Sequence, residues 1–195
     1  MVAVADAWRW QVISDGRGTL DTTIGPHDII AYIYALLWAP LYRARYADLL
    51  KQDYPRIMLT ADASVARQLI NIGHQLILLH LLEANPPHVC RLTGRGSRLV
   101  ERVSFTQTGG AAGQIWINTE QSFEPIEVEV WEFEVGGFQV CDKWLKDRRG
   151  RTLSADDVDT YRSLVAAVSE TINLMEQLDE ILDEAGGLPF TMPTG

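Results

Sequence analysis

Apolar positions with helical spacing dominate the first part of the chain. The stretch HDIIAYIYALLW places isoleucines and leucines on one face, which predicts a helix that Pro26 begins and Pro40 ends or kinks. PLYRARYADLLKQ continues as a second helix, which Pro55 closes. The run from Asp62 to Glu83 is apolar on most sides, so we expect a buried core helix there.

The pattern changes to that of strands after residue 85. HVCRLTG, RLVERVSFT and QIWINTE contain β-branched and aromatic residues separated by glycines. VEVWEFEV (Val128–Val135) alternates apolar and acidic side chains, which predicts an antiparallel sheet with one solvated acidic face. WRWQVI, from Trp8 to Ile13, is also strand-like.

Helical spacing returns in the last third of the chain. The apolar side of a short predicted helix is formed by Phe138, Cys141, Trp144 and Leu145. Gly150 is suited to a left-handed cap at its end. Ser154 with Asp157 has the spacing of a capping box, although Asp stands where Glu or Gln is usual. A long amphipathic helix is then predicted by apolar positions from Leu164 to Leu182.

Together these elements predict an α+β fold with a helical N-terminal pair, a core helix, a small antiparallel sheet and a C-terminal helical hairpin. The length of 195 residues suffices for one main core. We divide the chain into a strand-like lead-in (residues 1–24), one domain (residues 25–184) and a flexible tail (residues 185–195).

Composition indicates a soluble globular protein, with 47% hydrophobic and 22% charged residues. No apolar run reaches the roughly 18 residues of a membrane span. Residues 1–13 lack the features of a signal peptide, so we expect a cytoplasmic protein. The two cysteines, Cys90 and Cys141, have no metal-ligand or disulfide spacing, and we predict that both are core thiols.

The net charge of −9, from 26 acidic and 17 basic residues, argues against a general polyanion binder. The basic residues are nevertheless clustered. One cluster contains Arg91, Arg95, Arg98 and Arg102, and the other contains Lys143, Lys146, Arg148, Arg149 and Arg151. Because acidic blocks lie elsewhere, one face can be positive while the whole chain is negative.

Two explanations of these clusters stay open on physical grounds. Cations gather at a helix C-terminus because the macrodipole favours them there, which accounts for two or three of the second cluster. It accounts less well for Arg151, which lies beyond the predicted helix. Contact with DNA or RNA is the alternative.

Other candidate chemistry is weaker. Asn85-Pro86-Pro87 resembles the base-holding motif of amino-methyltransferases, but it follows a helix, and a helix-stopping turn explains it better. The four histidines lack carboxylates at ligand spacing, so no metal or cofactor is predicted. The alternating glutamates around Trp131 favour a solvated strand face.

Two long blocks carry a resemblance to a known family. YIYALLWAPLYRARYADLLKQDYPRI (Tyr32–Ile57) resembles Y-x-Y-A-x-L-H-S-P-x-Y-R-x-R-Y-A-x-x-L-x-x-D-F-P-R-I in the C-terminal specificity region of type ISP restriction–modification enzymes and related adenine-specific DNA methyltransferases. VWEFEVGGFQVCDKWLKDRRGRTLSADDVDTY (Val130–Tyr161) resembles the block V-W-x-F-x-I-G-G-Y-Q-V-x-x-K-W-L-K-x-R-x-G-R-x-L-S. The similarity covers about residues 25–182.

The resemblance implies a target recognition domain for double-stranded DNA, without catalysis of its own. Nuclease, helicase and methyltransferase modules would act with it in cis or in trans. The second cluster would position the duplex, and Arg91, Arg95, Arg98 and Arg102 would contact phosphates or read guanine. Arg43 and Arg45 are expected to be structural, paired with Asp48 or Asp53.

Two rival functions stay open. The helical blocks and the acidic C-terminal helix would also suit a module that docks a partner protein. A methyltransferase fragment that uses Asn85-Pro86-Pro87 is the other alternative.

Overall fold

The computed structural model describes residues 8–107 and 110–190, and these form two compact units. The helical unit contains the described residues up to Leu81 and those from Asn173 onward. The sheet unit is Leu82–Ile172. The last helix, α7 (Ala155–Glu184), contributes residues to both units. The division predicted from the sequence, with boundaries after residues 24 and 184, stays a prediction, and residues 1–7 of its lead-in and 191–195 of its tail lie outside the described residues.

The helical unit contains the predicted helical pair and the core helix. Its described elements before α7 are β1 (Gln11–Val12), β2 (Thr23–Ile24), α1 (Pro26–Trp38), α2 (Pro40–Arg45), α3 (Ala47–Gln52) and α4 (Ala63–His80). The second helix of the predicted pair is divided into α2 and α3 at Tyr46. The strand-like start is shorter than predicted, because only Gln11 and Val12 pair, in parallel with β2.

The core helix α4 lies against α1 at very close range. A Cβ atom at Gly73 would lie 1.9 Å from the carbonyl oxygen of Ala31, so only glycine allows this approach. Asp62 caps α4, and its carboxylate accepts hydrogen bonds from the backbone N–H groups of Ser64 (2.7 Å) and Val65 (3.4 Å). The predicted burial is confirmed, since Leu69, Ile70 and Leu76 are fully buried.

Asp28, in the first turn of α1, is a completely buried carboxylate. It accepts hydrogen bonds from the backbone N–H groups of Gly18 (2.5 Å) and Gly25 (2.9 Å), and it pairs with His74 Nε2 at 2.9 Å. Burial raises the pKa of this carboxyl, but the two backbone hydrogen bonds and His74 outweigh that effect, so its pKa lies below the usual value.

The first family-like block fastens an extended segment to the helical unit. The hydroxyl of Tyr32 donates to the Met58 carbonyl at 2.9 Å, and that of Tyr42 donates to the Arg56 carbonyl at 2.9 Å. Both tyrosine side chains are buried. The block therefore has a packing role, because its aromatic residues hold residues 56–60 in place.

The two arginines of this block do not form the predicted ion pairs. Arg43 and Arg45 are exposed, and the Arg43 guanidinium lies 5.8 Å from the Trp38 ring centroid. Asp48 pairs with Lys51 instead, at 3.8 Å. The predicted pairing was wrong because Asp48 pairs with Lys51, three residues after it, rather than with Arg45, three residues before it, and Asp53 accepts a hydrogen bond from the Tyr54 N–H at 2.8 Å.

The sheet unit is built around a four-stranded antiparallel sheet of order β3-β6-β5-β4. Its elements before α7 are β3 (Arg91–Thr93), β4 (Ser104–Gln107), β5 (Ala112–Trp116), β6 (Ser122–Glu127), α5 (Val128–Glu132), β7 (Glu134–Val135), β8 (Phe138–Gln139) and α6 (Val140–Lys146). The predicted α+β class, with a small antiparallel sheet and a long C-terminal helix, is confirmed.

One predicted strand is wrong. Residues 128–132 of VEVWEFEV form helix α5, and the sheet strand is the preceding β6. Val130 is buried, and Trp131 and Phe133 pack on the same cluster. Consecutive side chains of a strand point to opposite faces, so a helical turn is needed to bring adjacent residues 130 and 131 to one core. Phe138 is also not on the short helix, since it lies in β8 and is 60% exposed.

Both cysteines are core thiols, as predicted. Cys90 and Cys141 are buried in the cluster that contains Phe123 and Tyr161. Burial raises the pKa of each thiol to about 12, which keeps both protonated near neutral pH. The Tyr161 hydroxyl donates to the Cys141 carbonyl at 3.3 Å and fixes α7 against α6.

The predicted capping box begins α7. The Ser154 hydroxyl accepts from the Asp157 N–H at 3.0 Å, and the Asp157 carboxylate accepts from the Ser154 N–H at 2.9 Å. These reciprocal bonds satisfy backbone donors that no residue of the helix can pair. Asp therefore fills the role usual for Glu or Gln.

Candidate nucleic-acid interface

The two basic clusters, about fifty residues apart in sequence, meet through backbone hydrogen bonds in the sheet unit. The Val100 N–H donates to the Arg151 carbonyl at 3.0 Å, and the Gly150 N–H donates to the Val100 carbonyl at 2.8 Å. The Leu153 N–H donates to the Arg98 carbonyl at 3.0 Å. We call residues 98–102 and 149–153 together the basic junction.

Two local features shape the chain that leads into the first segment of the junction, residues 98–102. Gly94 has a φ of +85°, and a Cβ atom there would lie 1.9 Å from the Glu120 carbonyl oxygen, so this turn requires glycine. The side chain of Gln121 is buried and accepts a hydrogen bond from the Arg98 N–H at 2.7 Å. Arg98 itself has a φ of +59°, a conformation that this bond helps to hold.

The junction carries four exposed arginines, Arg98, Arg102, Arg149 and Arg151. Within residues 8–107 and 110–190, none of the four forms an ion pair with a carboxylate. Arg149 is oriented by a neutral partner, since its Nε donates to the Glu101 carbonyl at 2.9 Å. These guanidinium groups are therefore available to an anionic partner.

The Asp157 carboxyl lies next to the junction, and hydrogen bonds from Ser154 together with the charges of the second cluster lower its pKa. The hydrogen bonds from Ser154 are the main reason that the pKa of Asp157 is lowered, and the charges of Arg148 and Arg151 contribute to the shift. The Asp157 carboxylate accepts a hydrogen bond in the helix cap through Oδ2, and its Oδ1 lies 3.6 Å from Arg148 Nε. It leaves Arg151 without a direct salt bridge.

The two lysines of the second cluster have acidic partners on their own helix or directly after it. Lys143 pairs with Asp147, and Lys146 pairs with Asp142 at 2.6 Å, both at i,i+4 spacing. Lys143 also lies 6.0 Å from the Phe138 ring centroid. Exposed pairs of this kind are weak and can exchange partners. DNA contact by these lysines stays a prediction, and their acids make it less favourable than contact by the junction.

Arg148 is engaged by the protein itself. Its guanidinium carbon lies 3.4 Å from the Trp144 ring centroid, and its NH1 group donates to the Trp144 carbonyl at 3.0 Å. Its Nε is buried without a hydrogen bond, 3.6 Å from Asp157. This stacked and ion-paired geometry favours a structural role. To contact DNA, the Arg148 guanidinium would have to leave the Trp144 ring.

The remaining predicted arginines are Arg91 and Arg95, which lie at the start of β3 and just after it. Arg91 begins β3 and is exposed, with Glu124 opposite it in register. Arg95 is exposed in the turn after β3. Arg91 and Arg98 line one cavity together with Arg162, a residue of α7 that the sequence did not single out.

A second cavity of about 330 Å³ lies beside the junction. It is lined by Glu101, Arg102, Ser104, Trp116, Asn118 and Thr119. The indole N–H of Trp116 donates to the Thr106 hydroxyl at 2.5 Å, so the ring is held in one orientation. Arginine, asparagine and an indole ring are side chains that contact bases by hydrogen bonding and stacking.

The groups considered for catalysis occupy structural positions. Asn85-Pro86-Pro87 lies in an irregular segment between α4 and β3, so it does not follow a strand. His74 pairs with the buried Asp28, and His80 Nδ1 lies 2.7 Å from the Tyr34 hydroxyl.

In the part of the chain that the structure describes, no group of three or more histidine, cysteine, aspartate or glutamate side chains is placed to hold a metal ion. Among the same residues, no helix is both long and apolar enough to cross a bilayer.

Comparison with known proteins identifies the family. The profile of the Type ISP C-terminal specificity domain matches residues 5–177, and the chain belongs to this family. A search of curated proteins finds no match.

Solved structures show the same fold at low identity. A nuclease-deletion mutant of the Type ISP restriction–modification enzyme LlaGI, in complex with a DNA substrate mimic, gives a TM-score of 0.61 and 22% identity over 80% of this chain. The DrdV–DNA complex gives 0.62 and 20% over 83%, and the ATP-dependent Type ISP enzyme LlaBIII bound to DNA gives 0.59 and 18% over 77%. The match covers 14%, 18% and 11% of those chains, respectively.

Proposed function

We propose that this chain recognises double-stranded DNA as the specificity module of a restriction–modification enzyme and catalyses no reaction itself. The observation that carries the proposal is the basic junction, where four arginines without acidic ion-pair partners in the described residues lie on two segments joined by backbone hydrogen bonds. Membership of the specificity-domain family and the DNA in the solved relatives support it.

Local charge matters more than net charge for this function. A duplex carries closely spaced phosphates, and a protein gains affinity when its cations release the counterions of those phosphates. Arg98, Arg102, Arg149 and Arg151 provide this in a chain whose net charge is −9. Their backbone positions are held by a hydrogen-bonded ladder, which suits them to fix the register of the duplex.

Side chains near the junction would supply sequence discrimination. Arg102, Trp116 and Asn118 line one cavity, and Asn118 Nδ2 donates to the Leu99 carbonyl at 3.0 Å. An arginine reads guanine through two parallel hydrogen bonds. We therefore assign base contact to Arg102 and phosphate contact to Arg149 and Arg151.

We also propose that methyltransferase, helicase and nuclease modules in cis or in trans perform the chemistry. The chain spans less than a fifth of each solved relative, as expected for one module of a larger enzyme. Docking to such modules is favoured by exposed apolar side chains of the helical unit, including Ile30 (56% exposed) and Tyr54 (89%).

Selection from a random duplex pool by gel shift tests the function. The chain is expected to enrich one sequence and to bind it less tightly as salt is raised. Arg43→Gln/Arg45→Gln is the matched control for the junction variant Arg149→Gln/Arg151→Gln, because Arg43 and Arg45 are exposed on the helical unit. Binding without enrichment would contradict sequence recognition, and absence of duplex binding, with the chain alone and joined to a methyltransferase module, would overturn the proposal.

A further inference from the structure

A cavity lined by three arginines lies in the sheet unit, apart from the residues assigned above to base contact. It has a volume of about 350 Å³. The residues that define its chemistry are Arg91, Arg98, Arg162, Asp159, Leu92 and Val158. Arg162 belongs to neither basic cluster of the sequence.

Three different elements bring these guanidinium groups to the cavity. Arg91 begins β3, and Arg98 lies in the following loop, where Gln121 and Leu153 hold its backbone. Arg162 comes from α7. Its Nε donates to the Cys90 carbonyl at 3.0 Å, next to the start of β3, so its position is fixed relative to Arg91.

The cavity has an excess of positive charge. Among the described residues that line it, the one carboxylate is that of Asp159, which lies 3.1 Å from NH1 of Arg162 and offsets that positive charge. Arg91 and Arg98 form no ion pair in the described residues. Glu124, opposite Arg91 in register, accepts a hydrogen bond from the Gln114 side chain, so its carboxylate is engaged by the neighbouring strand.

The donor arrangement indicates which anion fits. Guanidinium groups bind phosphate oxygens in pairs of short, charge-assisted hydrogen bonds. A phosphodiester presents oxygens in several directions and can accept from groups on different elements, whereas a base edge accepts only in its own plane. The hydrogen bonds of Arg162 to Cys90 and Asp159 leave its other N–H groups for such a ligand.

We infer that this cavity holds one backbone phosphate of the bound duplex, with Arg91, Arg98 and Arg162 as its ligands. This inference rests on the proposed function and adds a contact point to it. The Arg98 carbonyl bonds to the Leu153 N–H, so the cavity adjoins the basic junction and the same strand of DNA can reach both. The cavity would fix the register of the duplex while Arg102 contacts a base.

A set of duplexes that carry the selected sequence, each with one methylphosphonate in place of one phosphate, tests the site. Arg91→Gln and Arg98→Gln are each expected to lower the slope of log affinity against log salt by up to about 0.9, the full effect of losing the one phosphate contact that the three arginines share. At one position, replacing the phosphate by a methylphosphonate should weaken binding of the wild-type chain. The same replacement should not further weaken binding of Arg91→Gln, which already lacks a ligand of that phosphate. Arg162→Gln gives a third variant, and Arg45→Gln is the control.

The outcomes separate the two proposals. If the wild type binds the duplex while Arg91→Gln and Arg98→Gln keep its affinity and salt slope, the cavity is not a phosphate site and the proposed function stands. If the loss of duplex affinity from Arg91→Gln adds to the loss from the methylphosphonate at every position, the cavity contacts no particular phosphate, and the inference is again contradicted. If the wild type binds no duplex, the proposed function fails and this inference fails with it.

Discussion

The Val100 N–H donates to the Arg151 carbonyl at 3.0 Å, and this bond joins two basic clusters that the sequence separates by about fifty residues. The Gly150 N–H returns a bond to the Val100 carbonyl at 2.8 Å. These two hydrogen bonds hold the backbone at Gly150 and Arg151 against Val100, so the exposed Arg151 side chain extends from a fixed backbone. Rigid backbone of this kind positions a charged side chain without a cost in ordering the loop on binding.

Arg148 is expected to stabilise the fold more than it contributes to DNA binding. Arg148→Gln removes the stack on Trp144 and the pair with Asp157, so the free energy of unfolding should fall by about 1–2 kcal/mol. Arg148→Lys keeps the charge but loses the planar stack, and it should recover only part of the loss. Urea unfolding measures both. A variant of unchanged stability with weakened duplex binding would show that Arg148 contacts DNA.

The cap of α7 gives a local test of the fold. Ser154→Ala removes the hydroxyl that accepts from the Asp157 N–H, and it should lower the free energy of unfolding by about 1 kcal/mol. Thr160→Ala, at an exposed position of the same helix, should leave stability unchanged or slightly raised. Equal stabilities of the two variants in chemical denaturation would refute the capping role.

The close approach of α1 and α4 predicts a severe effect at Gly73. Gly73→Ala places a methyl group against the Ala31 carbonyl, and overpacking of this kind costs about 1–3 kcal/mol or more. Asn71→Ala, at an exposed position of α4, is the control and should be neutral or slightly stabilising. Thermal unfolding compares them. A Gly73→Ala protein as stable as the wild type would mean that the helices are farther apart than described.

Asp28 makes stability depend on pH. Because its pKa is lower in the folded chain, the unfolded chain binds the proton more readily, so its stabilisation is present above the unfolded pKa of about 3.9 and is lost as pH falls through the lower folded pKa. Asp28→Asn should cost about 3 kcal/mol near neutral pH, as for other broken buried charge networks.

The difference in unfolding temperature between the wild type and Asp28→Asn should therefore begin to narrow below about pH 3.9, where the carboxyl of the unfolded chain takes up a proton. It should close only below the lower pKa of the folded chain. Asp48→Asn, which removes an exposed carboxylate, should follow the wild type. A difference in unfolding temperature that stayed constant from neutral pH down to the acid range would contradict this explanation.

Local chemistry in the sequence predicted much of the fold. The helix at α4 followed from apolar spacing, and the start of α7 followed from Ser154 and Asp157. Helix α5 was predicted as a strand because Val128 and Val130 alternate with acids as a strand would, while the structure uses them in a helical turn. A five-residue helix is too short for its period to differ clearly from alternation.

The site was predictable only in part. The sequence identifies arginine clusters, but not the antiparallel bridge between Leu99 and Thr152 that brings them together, because such pairing depends on the whole fold. Nor does it distinguish Arg148, stacked on Trp144, from the exposed Arg149 next to it. Arg162 stands alone in an amphipathic helix, and only the cavity shared with Arg91 and Arg98 draws attention to it.

The most direct test of DNA binding by the junction is the salt dependence of duplex affinity for two matched double variants. Arg149→Gln/Arg151→Gln should bind more weakly and lower the slope of log affinity against log salt by up to about 1.8, because two phosphate contacts are lost. Lys143→Gln/Lys146→Gln removes the same charge from helix α6 and should keep a slope closer to that of the wild type. A wild-type slope in the arginine variant, or an equal loss in the lysine variant, would contradict the assignment of DNA binding to the basic junction.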